Sequence, residues 1–298
     1  GAEGPISKSS KSSYLLNYRY STLGFMSALG INFGTGTAIP YYQDITTRFN
    51  FPTEKAGTFS VFAIGGVSEI DLISSNEEDT VANLYNNDLD IYDRSKTGIA
   101  GISHQYLIDN SSYTKFTLAA SYVMNSDLID SISPETLDPV PYYSQNFTQT
   151  KIAGNFFYKK KFNTKHNLQI GVRFDEFLVD IVDSIYRSTI DRYITLTEYD
   201  GNTFLLQPYA QYQYRVSDKM SLNAGLHYQY LGLNGSSSLE PRAGVKYQIN
   251  EKNAVSFGYG LHSMMAPIAT YFKTVEAGVG NYITPNDSID FVKAHHIV

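Results

Sequence analysis

The sequence has neither cysteine nor tryptophan, and it is short of charge: 17% of residues are Asp, Glu, Lys or Arg, where soluble chains carry roughly 25%. Without cysteine there is no disulfide scaffold and no thiolate-ligated zinc or iron–sulfur centre. No apolar run approaches the ~18 residues of a transmembrane helix. The balance of 23 basic against 29 acidic residues leaves a net charge of −6, against the basic footprint of a nucleic-acid binder. Gly1-Ala2-Glu3-Gly4-Pro5 has neither the basic nor the apolar region of a signal peptide, so any targeting segment is expected to be removed or outside this chain. Enzyme motifs are missing too: there is no G-x-S-x-G, H-E-x-x-H, P-loop or G-x-G-x-x-G, and Gly34-Thr35-Gly36 lacks the third glycine.

Aromatics are what the 298 residues do have: 25 Tyr and 17 Phe, enough with the β-branched residues to exclude disorder. They fall into period-two stripes, the mark of strands with one apolar and one polar face. Tyr14, Leu16, Tyr18 and Tyr20 begin the series. Ile45–Phe51, Thr58–Val67, Gly98–Leu107, Phe116–Met124, Ile152–Tyr158, Leu168–Phe174, Leu206–Tyr214, Leu222–Tyr230, Pro241–Tyr247 and Val255–Leu261 continue it, and a twelfth strand starts near Phe291. Pro208 and Pro241 each remove one ladder hydrogen bond, and each demands a bulge, a water or an edge.

Short links at Pro52–Ala56, Asp109–Ser112, Asn163–Lys165, Ser217–Lys219 and Asn250–Asn253 alternate with longer ones: Ser21–Gln43, Ser68–Lys96, Asn125–Gln149, Val179–Asn202, Gly232–Ser237 and Ser263–Asp290. In an up-and-down sheet this rhythm puts tight turns on one rim and large loops on the other, as in bacterial outer-membrane barrels. The apolar stripes carry no Asp, Glu, Lys or Arg, whereas Arg19, Arg48, Arg173, Arg242 and Lys246 lie on the opposite faces. A charge at the bilayer midplane costs roughly 2–4 kcal/mol, so one charge-free face is expected of a membrane barrel. A soluble β-sandwich also alternates, but a dozen strands of about ten residues is large for one. The fold class is therefore all-β, an antiparallel up-and-down transmembrane β-barrel with eleven or twelve strands in this chain, which reads as one unit over residues 1–298.

Several stretches carry a family resemblance. Glu3-Gly4-Pro5-Ile6-Ser7-Lys8 with Ser13–Leu23, Asn50–Gly57, Leu205-Leu206-Gln207-Pro208-Tyr209, Leu239–Gly244, Gly258–Ser263 and Lys293-Ala294-His295-His296 resemble the barrel of bacteroidete-type TonB-dependent outer-membrane receptors. The resemblance implies a barrel of about 22 strands around an N-terminal plug, with this chain starting after the plug and ending midway round. It also implies ligand uptake energised by an inner-membrane complex, and it allows a surface lipoprotein partner. A passive pore or a structural or secretion-associated barrel is the alternative, and no enzyme activity is expected. Independently of the resemblance, an open sheet edge cannot sit in hydrocarbon, and Phe291–Val298 is too short to span a core ~30 Å thick. The first and last strands are therefore expected not to pair with each other.

Site candidates follow from the polar faces. Arg173, Gln207, Gln211, His227, Gln229, Glu240, Arg242, Lys246 and His262 form a lumen set expected to meet the plug or the ligand. His227 and His262 invite a search for a catalytic serine or carboxylate, though polar filler is the plainer reading. His295-His296 would point to opposite faces of a strand and so make no metal pair. Tyr41, Tyr42, Tyr142 and Tyr143 suit either ligand contact or an interfacial girdle. Ser68–Lys96 is strongly acidic, with Glu77, Glu78 and Asp79 among its carboxylates. Asp88, Asp90 and Asp93 there could offer oxygens to Ca²⁺, although the EF-hand spacing is absent. A solvated outer loop is the simpler expectation.

Overall fold

A computed structural model describes residues 1–7, 11–23, 29, 40–75, 88–136, 138–278 and 280–298; Gly34-Thr35-Gly36, Glu77, Glu78 and Asp79 lie outside them. Thirteen strands form one antiparallel sheet in chain order. They are β1 (Ala2–Pro5), β2 (Ser13–Tyr20), β3 (Tyr41–Pro52), β4 (Thr58–Leu72), β5 (Leu89–Asp109), β6 (Ser112–Ile132) and β7 (Pro139–Lys161). After these come β8 (His166–Arg187), β9 (Arg192–Arg215), β10 (Met220–Leu231), β11 (Ser237–Gln248), β12 (Ala254–Met264) and, following a separate two-stranded hairpin, β15 (Val292–Ile297). The hairpin pairs β13 (Val275–Glu276) with β14 (Tyr282–Ile283). β1 and β15 are the two sheet edges and do not pair with each other. The extra strand relative to the twelve expected is β1, a short ladder on Ser13–Leu16.

Cross-strand register fixes the two faces, because directly opposed residues point the same way. Leu16, Thr47, Ala63, Ala100, Ala120 and Ile152 lie in one row, and Tyr18, Ile45, Gly65, Gly98 and Tyr122 in the next. This face leaves Ile45, Val61, Ile102, Phe116, Leu118, Ile152, Phe156, Ile170, Leu226 and Phe257 exposed, far more contiguous apolar surface than a soluble monomer shows. It is the lipid face. Its ends carry aromatic contacts: Phe59–His104–Tyr106 and His166–Tyr214 on the tight-turn side, Phe174–Phe204–Tyr230 on the other. From Tyr106 to Lys96 on β5 is ten residues; at about 3.3 Å each and a tilt near 40°, they climb about 25 Å, the height of an outer-membrane apolar band.

The tight turns hold as expected. In the β3–β4 turn, Thr53 Oγ1 donates to Gly57 O at 2.8 Å, and Gly57 has φ +81°, where an added Cβ would lie 2.2 Å from Gln105 O. The long links differ from the expectation. Most of Asn125–Gln149 and Val179–Asn202 is strand: β6 runs to Ile132 and β7 starts at Pro139, and β8 runs to Arg187 and β9 starts at Arg192. β8 continues thirteen residues past Phe174, the last apolar lipid-face residue of its membrane stripe. Beyond the bilayer the apolar side moves to the lumen, where Phe177, Val179 and Ile181 are buried, so the lipid-face stripe disappears while the ladder goes on. Two register shifts occur in these extensions, at Ile129/Asp130 and Asp183/Ser184.

Both prolines interrupt pairing locally. The β9–β10 register skips from His227↔Tyr209 to Tyr230↔Leu206, leaving a gap opposite Pro208. The β11–β12 ladder ends at Arg242↔Gly260, one residue short of Pro241. Neither site needs a bulge.

Candidate functional site

The ladder break at Pro241 is bridged by side chains. Past Gly260, β12 keeps its pairing with β15 but loses β11, and Glu240 and Gln229 reach into the gap. Glu240 accepts the Ser263 N–H at 3.0 Å and the Ser263 hydroxyl, and Gln229 Nε2 donates to Ser263 O at 2.8 Å. The two side chains thus stand in for a missing pair of ladder bonds. Glu240 also accepts from Gln229 Nε2 at 2.5 Å, meets His227 Nδ1 at 2.9 Å and pairs with Arg242 Nη2 at 2.7 Å. It is 1% exposed. His227 therefore has a carboxylate neighbour, which the sequence did not reveal. The Ser263 hydroxyl is bound to that carboxylate and not to the imidazole, so the trio lacks the base–nucleophile contact that activates a serine.

The other lumen candidates share the same face. Arg173, Gln207 and Gln211 line a groove of about 380 Å³ with Tyr209, His227 and Arg242. A second groove of about 440 Å³ runs towards the tight-turn side between Gln169, Gln213, Asn223 and Lys159, sharing Gln211 and Arg242. Gln207 Nε2 lies 3.4 Å from the Asp175 carboxylate. Lys246 faces the same side one pair along from Gly244 and is exposed. His262 stands apart from His227 and meets His296 edge-to-face, with ring centroids 5.0 Å apart. His295 points the other way, to Tyr259, as strand alternation requires.

Near the outer rim the inner face is apolar. The Ser263–Asp290 link is no free loop: residues 265–272 and 289–291 pack back against the wall. A one-turn helix, α1 (Ile268–Tyr271), buries Ile268 and Tyr271 with Phe291 against Phe177, Val179, Ile181, Leu205 and Leu231. Phe272 stacks on Tyr199 at 3.6 Å, Lys273 Nζ pairs with the buried Asp183 at 2.8 Å, and Asn234 Nδ2 donates to Asp287 O and Ile289 O. The apolar run Met264–Phe272 was the sequence signal for this segment.

The proposed Ca²⁺ ligands are differently placed from the expectation. Asp90 and Asp93 lie in β5, not in a loop. Three residues apart on a strand, they face opposite sides. The Asp90 carboxylate is filled by Ser74 N, Ser75 N and Ser75 Oγ, while Asp88 is exposed. Asp93 instead opposes Asp127 on β6, above the apolar band. Burial and the facing Asp93 push the Asp127 carboxyl up to about 6. A carboxyl raised in the folded state stabilises most below its unfolded value near 3.8 and loses that contribution as pH rises through about 6. Amide protection factors in the β5–β6 extension, which correct for the pH dependence of intrinsic exchange, are therefore expected to be higher at pH 5 than at pH 7.5. Asp127→Asn should abolish the difference, and equal protection factors in the wild type at both pH values would refute this.

The family described as "TonB dependent receptor-like, beta-barrel" matches residues 4–289. No curated protein matches the chain. Among solved structures, the siderophore receptor PiuA of Acinetobacter baumannii is similar at 10% identity and TM-score 0.70, over 99% of this chain and 51% of that one. The ferric-catecholate import receptor Fiu of E. coli K12, closed form, gives 12% identity and TM-score 0.66 over 88% and 47%. A mutant ferric enterobactin receptor PfeA of Pseudomonas aeruginosa gives 12% and 0.59 over 98% and 46%. The chain thus spans about half the length of each.

Proposed function

The chain belongs to the TonB-dependent receptor β-barrel family and is an outer-membrane protein, and from that premise we propose that it forms part of the wall of a receptor that imports a ligand through a plugged barrel, energised from the inner membrane. The observation that carries this reading is the inner wall. Between the tight turns and the infolded segment it offers two adjoining grooves lined by Gln, Asn, Arg and Tyr side chains, a surface suited to a polypeptide filling the lumen. A plug domain and further strands are the partners it calls for, since β1, the part of β2 beyond Leu16 and the outer side of β15 would otherwise leave backbone groups unpaired in lipid. The solved neighbours are named as a siderophore receptor, a ferric-catecholate import receptor and a ferric enterobactin receptor, and a polar organic chelate is compatible with the amide-rich wall. The chain acts in this reading as a transporter component and not as an enzyme.

Planar-bilayer recording of the protein with its full barrel tests the proposal against a passive pore. A plugged receptor should pass no steady K⁺ current in potassium chloride, whereas a stable ohmic conductance would overturn it.

A further inference from the structure

The lipid face carries a groove between β4 and β5. Gly65 on β4 and Gly98 on β5 oppose each other directly, and their missing side chains leave an apolar groove of about 500 Å³ walled by Tyr18, Ile45, Val67 and Tyr122. The groove runs up to Lys96, where the apolar band of β5 ends, and Lys96 also borders a neighbouring depression of about 310 Å³ beside Tyr20, Gln43 and Arg94. This is the long-connection rim, hence the outer leaflet.

Two cations stand on the lipid face here, and they differ. Arg94 is engaged, at 2.5 Å by Asp71 and at 3.4 Å by Glu69. Lys96 has no ion pair or hydrogen bond with any described residue and is exposed. A cation at the headgroup level, above an apolar slot that only lipid can reach, complements a lipid bearing phosphate. We propose that this groove holds an acyl chain of a phosphate-bearing outer-leaflet lipid, with its phosphate on the Lys96 ammonium. The groove supplies shape and Lys96 supplies charge, so the two can be removed separately. Gly98 tolerates a side chain: an added Cβ would meet nothing closer than Ile64 O at 3.7 Å, so a larger residue fills the slot without moving the backbone.

Native mass spectrometry of the purified protein in detergent, titrated with phosphorylated lipid A and with the same lipid dephosphorylated, tests this. The wild type should retain the phosphorylated form about tenfold better. Lys96→Gln should bring it down to the dephosphorylated level and Lys96→Arg should restore it. Gly98→Leu should weaken both forms, and Lys160→Gln at the opposite rim should change neither. Retention by Lys96→Gln within threefold of wild type, or by Gly98→Leu equal to wild type, would overturn the proposal. Heat-modified mobility on gels confirms that each variant is folded.

Discussion

Replacing Glu240 with Leu should destabilise the sheet by about 3–5 kcal/mol, the range for removing one partner of a buried ion pair. The carboxylate is 1% exposed and receives two groups from Ser263 as well as Gln229, His227 and Arg242. Leucine fills the volume but leaves each donor without its acceptor, including a guanidinium, and each costs energy when buried alone. Because Glu240 also replaces the ladder that Pro241 ends, the damage should spread. β12 should separate from β11 beyond Gly260, and exchange at Ser263 should rise with it. Glu240→Gln retains an acceptor oxygen and should lose roughly half as much. The measurement is the urea midpoint of the gel-mobility transition for the three proteins. A Leu variant as stable as wild type would mean that water, and not the carboxylate, satisfies these donors.

The second large effect tests the assignment of faces. Ala120 lies mid-stripe between Leu118 and Tyr122 on the lipid face, while its neighbour Ser121 looks inward beside Ile99 and Lys151. Ala120→Arg should cost about 2–4 kcal/mol of membrane stability, a shift of roughly 30- to 1000-fold in the folding equilibrium. Ser121→Arg should cost well under 1 kcal/mol, since its charge enters a polar lumen. Folded yields in lipid vesicles measure both. Equal losses would show that the face assignment, and with it the register of β5 to β7, is wrong.

These two cases also show what could be read from the residues. Within the bilayer the solvent differs on the two sides of each strand, so the alternation of Leu118, Ala120 and Tyr122 with Thr117, Ala119 and Ser121 discloses strand, face and neighbours at once. Above it the lipid-side constraint is gone: Phe177, Val179 and Ile181 turn their apolar side to the lumen, where the infolded segment buries them, so the stripe of the membrane span does not continue although pairing does, with one register shift at Asp183/Ser184. The lumen set was legible as a face but not as contacts. Nothing local indicates that Glu240 meets Ser263, because that meeting depends on β12 leaving β11. The pairing of His262 with His296 needed the register of β15. Asp88, Asp90 and Asp93 looked like one acidic loop because strand continuation through β5 was invisible, and alternation then separates what proximity in sequence had grouped.

The unequal strand lengths give the mouth a direction. β8 and β9 rise thirteen and twelve residues past Phe174 and before Phe204, about 30 Å above the band at 3.3 Å per residue and a tilt near 40°. The β10–β11 hairpin turns back at residues 232–236, level with the headgroups. The described rim is thus a parapet on one side and a low sill on the other.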